Sequence, residues 1–125
     1  MVVVAYVLAV VAAAIHVYIF RLESVAWTAP ATRKVFGTTP ETAEVTKPMA
    51  YNQGFYNLFL AVVALVGVAL HASGSEDAGA ALVHAGCGSM AAAAIVLATS
   101  DSTKLRPAAV QGVAPALAVL ALLIG

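Results

Sequence analysis

Apolar residues in this chain neither alternate as in a half-buried strand nor recur at amphipathic spacing. They run on in four long blocks separated by polar connections: Val2 to Phe20, Tyr51 to Leu70, Ala78 to Thr99 and Pro107 to Ile124. A helix needs about 20 mostly apolar residues to cross the hydrocarbon core of a bilayer. The first three blocks reach that length, and the fourth is slightly short and carries Pro115, which predicts little tilt or a kink. Lipid offers backbone groups no hydrogen-bond partner, so blocks of this length span as helices rather than as open strands. The pattern predicts an all-α, integral membrane four-helix bundle forming one domain over residues 1–125.

The connections are unequal. His71 to Asp77 and Ser100 to Arg106 are short and polar, which favours antiparallel neighbours. Arg21 to Ala50 is long but not of low complexity. Within it, Thr39-Pro40-Glu41 reads as an N-cap, a proline at the first helical position and an early acid. A helix is expected to begin there, pass Pro48 and run on into the second span. Span one is expected to continue as helix from Arg21 to Trp27, with Trp27 against the mouth of the bundle. Trp27 and Phe36 suit an interfacial belt or a lid.

Composition agrees with a bilayer setting. Of the 125 residues, 62% are apolar and 10% are charged, against about 25% charged in soluble domains. All six cations fall on one side of the four blocks. Arg21, Arg33, Lys34 and Lys47 lie between spans one and two, Lys104 and Arg106 between three and four, and the opposite connection holds only Glu76 and Asp77. The positive-inside rule assigns the basic side to the cytoplasm and both termini to the outside. The net charge is zero and there is no basic run, so nucleic acid is not an expected partner. No Lys or Arg precedes the first block, which therefore reads as a span and not as a signal peptide.

Between helices in lipid, close packing must replace hydrophobic burial. Ala81, Ala85, Ser89 and Ala93, with Gly86 and Gly88 alongside, are the expected contact face of span three, and Ala108, Gly112 and Ala116 that of span four. The single cysteine, Cys87, reads as a small packing residue.

Polar side chains inside such spans are costly, face the bundle interior and often mark sites. Those here are His16, Glu23, Asn52, Gln53, Asn57, His84 and Gln111, with Tyr18, Tyr51 and Tyr56 nearby. All but His84 fall in the half of the bilayer next to the basic connections. His16 and Glu23 are seven apart on one helical face, with Trp27 one turn beyond, and Asn52–Tyr56 and Gln53–Asn57 are i, i+4 pairs. A carboxylate beside an imidazole can move a proton, and amides can orient a carbonyl or hydroxyl. The competing reading makes the same groups interhelical hydrogen bonds and nothing more. No metal-ligand spacing, phosphate loop, nucleophile elbow or redox motif is present, so neither a metal nor a cofactor is expected.

The order of these residues is also distinctive. His16 to Glu23 reads H-x-Y-I-x-x-L-E, and Trp27 to Gly37 reads W-T-x-P-x-x-R-K-V-F-G. Thr39 to Glu44 reads T-P-E-x-A-E, Asn52 to Asn57 reads N-Q-G-x-Y-N, and Val110 to Ala116 reads V-Q-G-x-x-P-A. This resembles the bacterial membrane-protein family catalogued as domain of unknown function 1304, over nearly the whole chain. The resemblance implies a short four-helix protein of the bacterial inner membrane. It carries no activity and therefore no catalytic residues. It places His16, Glu23, Trp27, Asn52, Gln53, Gly54, Tyr56, Asn57 and Gln111 on motif positions, and leaves His84 and Cys87 off them.

The sequence thus favours a pocket toward the cytoplasmic leaflet that binds a small lipophilic molecule and, as an extension, isomerises it by proton transfer. Glu23 and His16 would be the catalytic pair, and Trp27, Asn52, Gln53, Tyr56, Asn57 and Gln111 would hold the ligand. An oligomeric small-solute transporter or channel, which would make a second copy of the chain a partner, stays open as an alternative. So does an accessory subunit of a membrane complex.

Overall fold

The computed structural model describes all 125 residues, and every regular element in it is helical, with no strand. Helix α1 covers Val2–Phe20 and passes into a π-helical turn at Arg21–Val25. A short α2 covers Pro30–Phe36, α3 Pro40–Ala72 and α4 Glu76–Ser100. A single 3₁₀ turn at Ser102–Lys104 leads into α5, Leu105–Ile124. Four segments are long and apolar enough to cross a membrane: Val2–Val25, Pro40–Ala72, Glu76–Ser100 and Ser102–Ile124.

Helix α3 starts where Thr39-Pro40-Glu41 predicts. The Thr39 hydroxyl oxygen accepts from the Thr42 backbone N–H at 3.1 Å, and Pro40 sits where its missing N–H has no intrahelical partner to lose. At 33 residues the helix is about 50 Å long, well beyond the roughly 30 Å of a hydrocarbon core. Its first turns, which hold Glu41, Glu44, Lys47 and Pro48, are the excess. Pro48 stays within the continuous helix, and its exposure leaves water free to satisfy the carbonyl it cannot serve.

Span one keeps its helix past Phe20, but as a π turn that ends at Val25, two residues short of the expected Trp27. Ala26 leaves the helical region (φ −122°, ψ 26°), and Trp27 lies in the turn that follows. Proline 115 does not break α5, which is continuous from Leu105 to Ile124.

The long helices form a ring in which α1 packs on α3 and α5, and α4 completes the circuit against the same two. Small residues fill its centre: Ala5, Ala9, Ala12, Ala61, Ala64 and Ala118 are buried, and Met90, His16 and Val83 are the largest fully buried side chains. The large aliphatic and aromatic residues point outward, among them Val3, Val7, Phe59, Ile95, Val96, Leu120 and Leu123. A water-soluble bundle has the reverse arrangement, and this one fits lipid around a closely packed interior.

The contact face of α4 is not the expected one. Ala81, Ala85, Ser89 and Ala93 are exposed, and the buried stripe is Gly79, Val83, Gly86, Cys87, Met90 and Ala94. Glycine decides the face, because it admits a neighbouring backbone where an alanine methyl collides. A β-carbon on Gly67 would lie 2.8 Å from the Gly79 carbonyl oxygen, one on Gly79 2.7 Å from that of Gly67, and one on Gly86 3.0 Å from the Ala64 nitrogen. Alanine is small enough for either side. On α5, Ala108 is buried while Gly112 and Ala116 are half-buried beside the inner residues Pro115, Ala118 and Ala121. Cys87 is fully buried in the core, as its packing role requires.

Gly67→Ala is therefore expected to destabilise the bundle by about 1–3 kcal/mol through overpacking of the α3–α4 contact. Gly88→Ala, whose β-carbon meets nothing within 4 Å, should be neutral or slightly stabilising. Unfolding midpoints in mixed micelles measure both, and equal midpoints would remove the close contact as a source of stability.

Candidate functional site

At the basic end of the ring the seam of small residues gives way to longer side chains. The π turn makes the change. Its i+5 closure, seen in the Ala26 N–H to Arg21 carbonyl bond of 3.0 Å, widens the helix and turns Leu22 and Glu23 out of the register that α1 would have kept. Leu22 becomes buried and Glu23 half-buried, facing α3.

Three interactions fasten that turn to α3. Asn57 Nδ2 donates to Glu23 Oε1 at 2.5 Å and lies 3.3 Å from the Gln53 carbonyl. The Ser24 hydroxyl donates to the Tyr51 carbonyl at 2.8 Å. Gly54 lets the two backbones meet, since a β-carbon there would come within 3.0 Å of Ser24 N and Cβ and closer still to its hydroxyl. The motif N-Q-G-x-Y-N thus has a local physical reason: its glycine admits the π turn and its last asparagine meets the carboxylate.

The segment Trp27 to Gly37 folds back over the same end. Trp27 Nε1 donates to Thr46 Oγ1 at 3.1 Å, and its ring lies 5.0 Å from that of Phe36. Gly37 ends α2 with φ +67°, a left-handed cap natural to glycine. The Lys104 ammonium donates to the Phe36 carbonyl and fastens α2 to the start of α5. Asp101 sets the position of Lys104 by closing the 3₁₀ turn. It accepts from the Thr103 hydroxyl at 2.6 Å and backbone N–H at 2.9 Å, which hold its carboxyl below the usual carboxylate range.

These elements line an open cavity of about 710 Å³. Its apolar walls include Ile19, Leu22, Leu60, Leu97 and Val110, its polar ones Tyr18, Glu23, Gln53, Tyr56, Asn57 and Gln111, and Lys34, Phe36, Lys104 and Arg106 complete it. A second space of about 380 Å³ lies on the other side of Glu23, between Ser24, Trp27, Lys47 and Tyr51. Glu23 belongs to both walls.

The sequence-derived candidates divide accordingly. Glu23, Gln53, Tyr56, Asn57 and Gln111 meet around the larger cavity. Trp27 lines the smaller one with Glu23. Asn52 is exposed and lines neither, because it sits about 100° around α3 from Gln53. His16 stands apart. It is fully buried in the bundle, and its Nδ1 donates to the Ala12 carbonyl at 2.8 Å, one turn back and away from Glu23. The expected His16–Glu23 pair does not form, since a seven-residue step rises about 10 Å and the π turn rotates Glu23 away as well. His84 is half-buried on α4 and lines neither space.

Four contributors escaped the reading of the sequence: Ser24, Lys34, Lys104 and Arg106. The cations were visible as topology signals, but their convergence depends on the fold-back of α2, which helical periodicity does not encode. No three His, Cys, Asp or Glu side chains gather at one place.

A family model described as "Protein of unknown function (DUF1304)" matches residues 10–123. The chain belongs to this family. No curated protein and no solved structure matches it. The matched stretch contains every residue that lines the two cavities, so the whole site lies within the DUF1304 region. The family description assigns no activity, and the chemistry must be argued from the site.

The Asn57–Glu23 hydrogen bond is worth about 0.5–1.5 kcal/mol with a neutral carboxyl and about 1.5–3 kcal/mol with an ionised one. Asn57→Ala is expected to destabilise the protein by that amount, and a double-mutant cycle with Glu23→Ala, which removes the acceptor oxygen, should show coupling of at least about 0.5 kcal/mol. Additive effects in the unfolding cycle would mean that the two side chains do not support each other.

Proposed function

We propose that this DUF1304 protein is a multi-pass membrane protein whose basic end faces the cytoplasm. Its cavity there binds a small lipophilic molecule. The observation that carries the reading is the cavity itself: about 710 Å³, built within a single copy of the chain and walled by leucines, isoleucine and valine with six amide, phenol and carboxylate side chains. That volume falls within the roughly 300–1,000 Å³ of small-molecule sites, and the mixture of apolar walls with a few polar groups is their usual chemistry. An intrachain cavity favours a binder over a route enclosed between copies.

Proton transfer, if the ligand undergoes it, rests on Glu23 alone, with Tyr18 and Tyr56 as the neighbouring hydroxyls. His16 is committed to the Ala12 carbonyl and does not reach the cavity. Binding is therefore the reading with the most support, and isomerisation would have to proceed through one carboxylate that both removes and returns the proton.

Native mass spectrometry of the protein released from native membranes tests this. A lipid-like adduct is expected on the wild type and should be lost from Leu60→Trp, which fills the cavity from α3, while that variant keeps its helical content. A protein without adduct in both forms would count against the site.

The orientation has its own test. In a Cys87→Ala background, a cysteine at Ser75 should react with an impermeant reagent on intact cells, and one at Ser102 only after permeabilisation. Equal labelling of the two would overturn the assignment of the basic end to the cytoplasm.

A further inference from the structure

The charge around the cavity narrows what it would hold. Lys34 comes from α2, Lys104 from the 3₁₀ turn and Arg106 from the start of α5, and all three line the same space. Topology alone asks only that cations stay on one side of the membrane, and the other three do scatter. Arg33 Nε donates to the Thr28 carbonyl, Lys47 borders the smaller space, and Arg21 is exposed and borders neither. The cavity has a single carboxylate, Glu23, which is held by Asn57 on the α1–α3 wall. Three cations against one carboxylate leave an excess of positive charge on the side formed by α2 and the α4–α5 corner.

Resting on the binding function proposed above, we infer that the cavity takes a small amphiphile with an anionic headgroup, a carboxylate or a phosphate monoester. The headgroup lies at the mouth, among Lys34, Lys104 and Arg106. Lys104 has three ammonium donors and gives one to the Phe36 carbonyl, and the Arg106 guanidinium offers a planar fork matched to either oxyanion. The chain runs inward along Leu60, Ile19 and Leu97, which sit deeper on their helices than the cations. The Glu23 carboxylate sets the polarity of binding, since it repels an anion from the α1–α3 wall and leaves the cationic side as its place.

Equilibrium binding in phosphatidylcholine nanodiscs tests the inference, with empty nanodiscs as the blank and four probes of one chain length: dodecyl phosphate, dodecanoate, dodecanol and dodecyltrimethylammonium. At low salt both anions are expected to bind about tenfold more tightly than dodecanol, the size of one charge-assisted hydrogen bond, and the quaternary ammonium most weakly. Lys34→Gln combined with Arg106→Gln, both exposed positions, should remove most of the anion preference and leave dodecanol unchanged. Either order between phosphate and carboxylate supports the inference and names the source of the headgroup. Equal binding of anion and alcohol, tighter binding of the ammonium probe, or an anion preference that survives the double substitution would overturn it while leaving a lipophilic site in place. Failure of all four probes to exceed the blank would overturn the binding function as well.

Discussion

Gly67 on α3 and Gly79 on α4 approach so closely that a β-carbon on either would strike the carbonyl oxygen of the other, and the rest of the bundle follows from that approach. Between helices surrounded by lipid, apolar burial supplies no net attraction, so association depends on how near the backbones can come. Glycine fixes the nearest point, and alanines at Ala61, Ala64, Ala5, Ala9 and Ala12 carry the seam along the ring. The interior consequently holds few large side chains, Tyr6, His16, Val83 and Met90 among them, and most of the valines, leucines and phenylalanines are displaced to the outside.

That economy of space cannot continue to the basic end. There α1 changes to a π turn, α2 folds back, and the walls acquire Leu22, Leu60, Tyr56, Gln53 and Gln111. Longer side chains hold the helices apart, and the space between them becomes the cavity. Close approach returns at this end at Gly54, which brings Ser24 and Glu23 onto α3, and at Gly112, where a β-carbon would lie 2.5 Å from that of Ala94. Packing and site are thus two uses of the same residue type. At the acidic end glycine closes the bundle, and at the basic end it delivers a carboxylate to an asparagine.

Much of this was legible in the sequence. Span lengths, the start of α3 at Pro40 and the all-helical architecture follow from hydropathy, one N-cap and the cost of bare backbone in lipid. Five of the candidate side chains that meet at the larger cavity share a depth that could be counted along the helices. What failed was rotation. Ala81, Ala85, Ser89 and Ala93 repeat as regularly as the true face, and only the glycines among their neighbours, Gly79 and Gly86, carry the steric information that separates the two. His16 and Glu23 share a face only if a strict α-helix continues through Arg21, where i+5 bonding intervenes. Spacing pairs Asn52 with Tyr56, but of the two only Tyr56 borders the cavity, with Gln53, Asn57 and Leu60. Lys34, Lys104 and Arg106 converge only because α2 returns to the bundle, a tertiary event with no period to read.

The position of Glu23 between two cavities explains how a carboxylate is tolerated so near the apolar walls. A buried, unpaired carboxylate would be strongly unfavourable, whereas one with a hydrogen-bonded amide and access to polar space on two sides is not. Asn57 fixes one oxygen, and the smaller space, bordered by Ser24, Lys47 and Trp27, opens toward the first turns of α3 that extend beyond the apolar block. The carboxylate is therefore part of the partition between a route to water and the apolar pocket. Its neighbours in the π turn each face one space, Leu22 the larger and Ser24 the smaller, and Glu23 alone borders both. The π turn supplies the intermediate angle that an α-helix does not offer, which is the physical reason for an irregular turn at this point of an otherwise regular bundle.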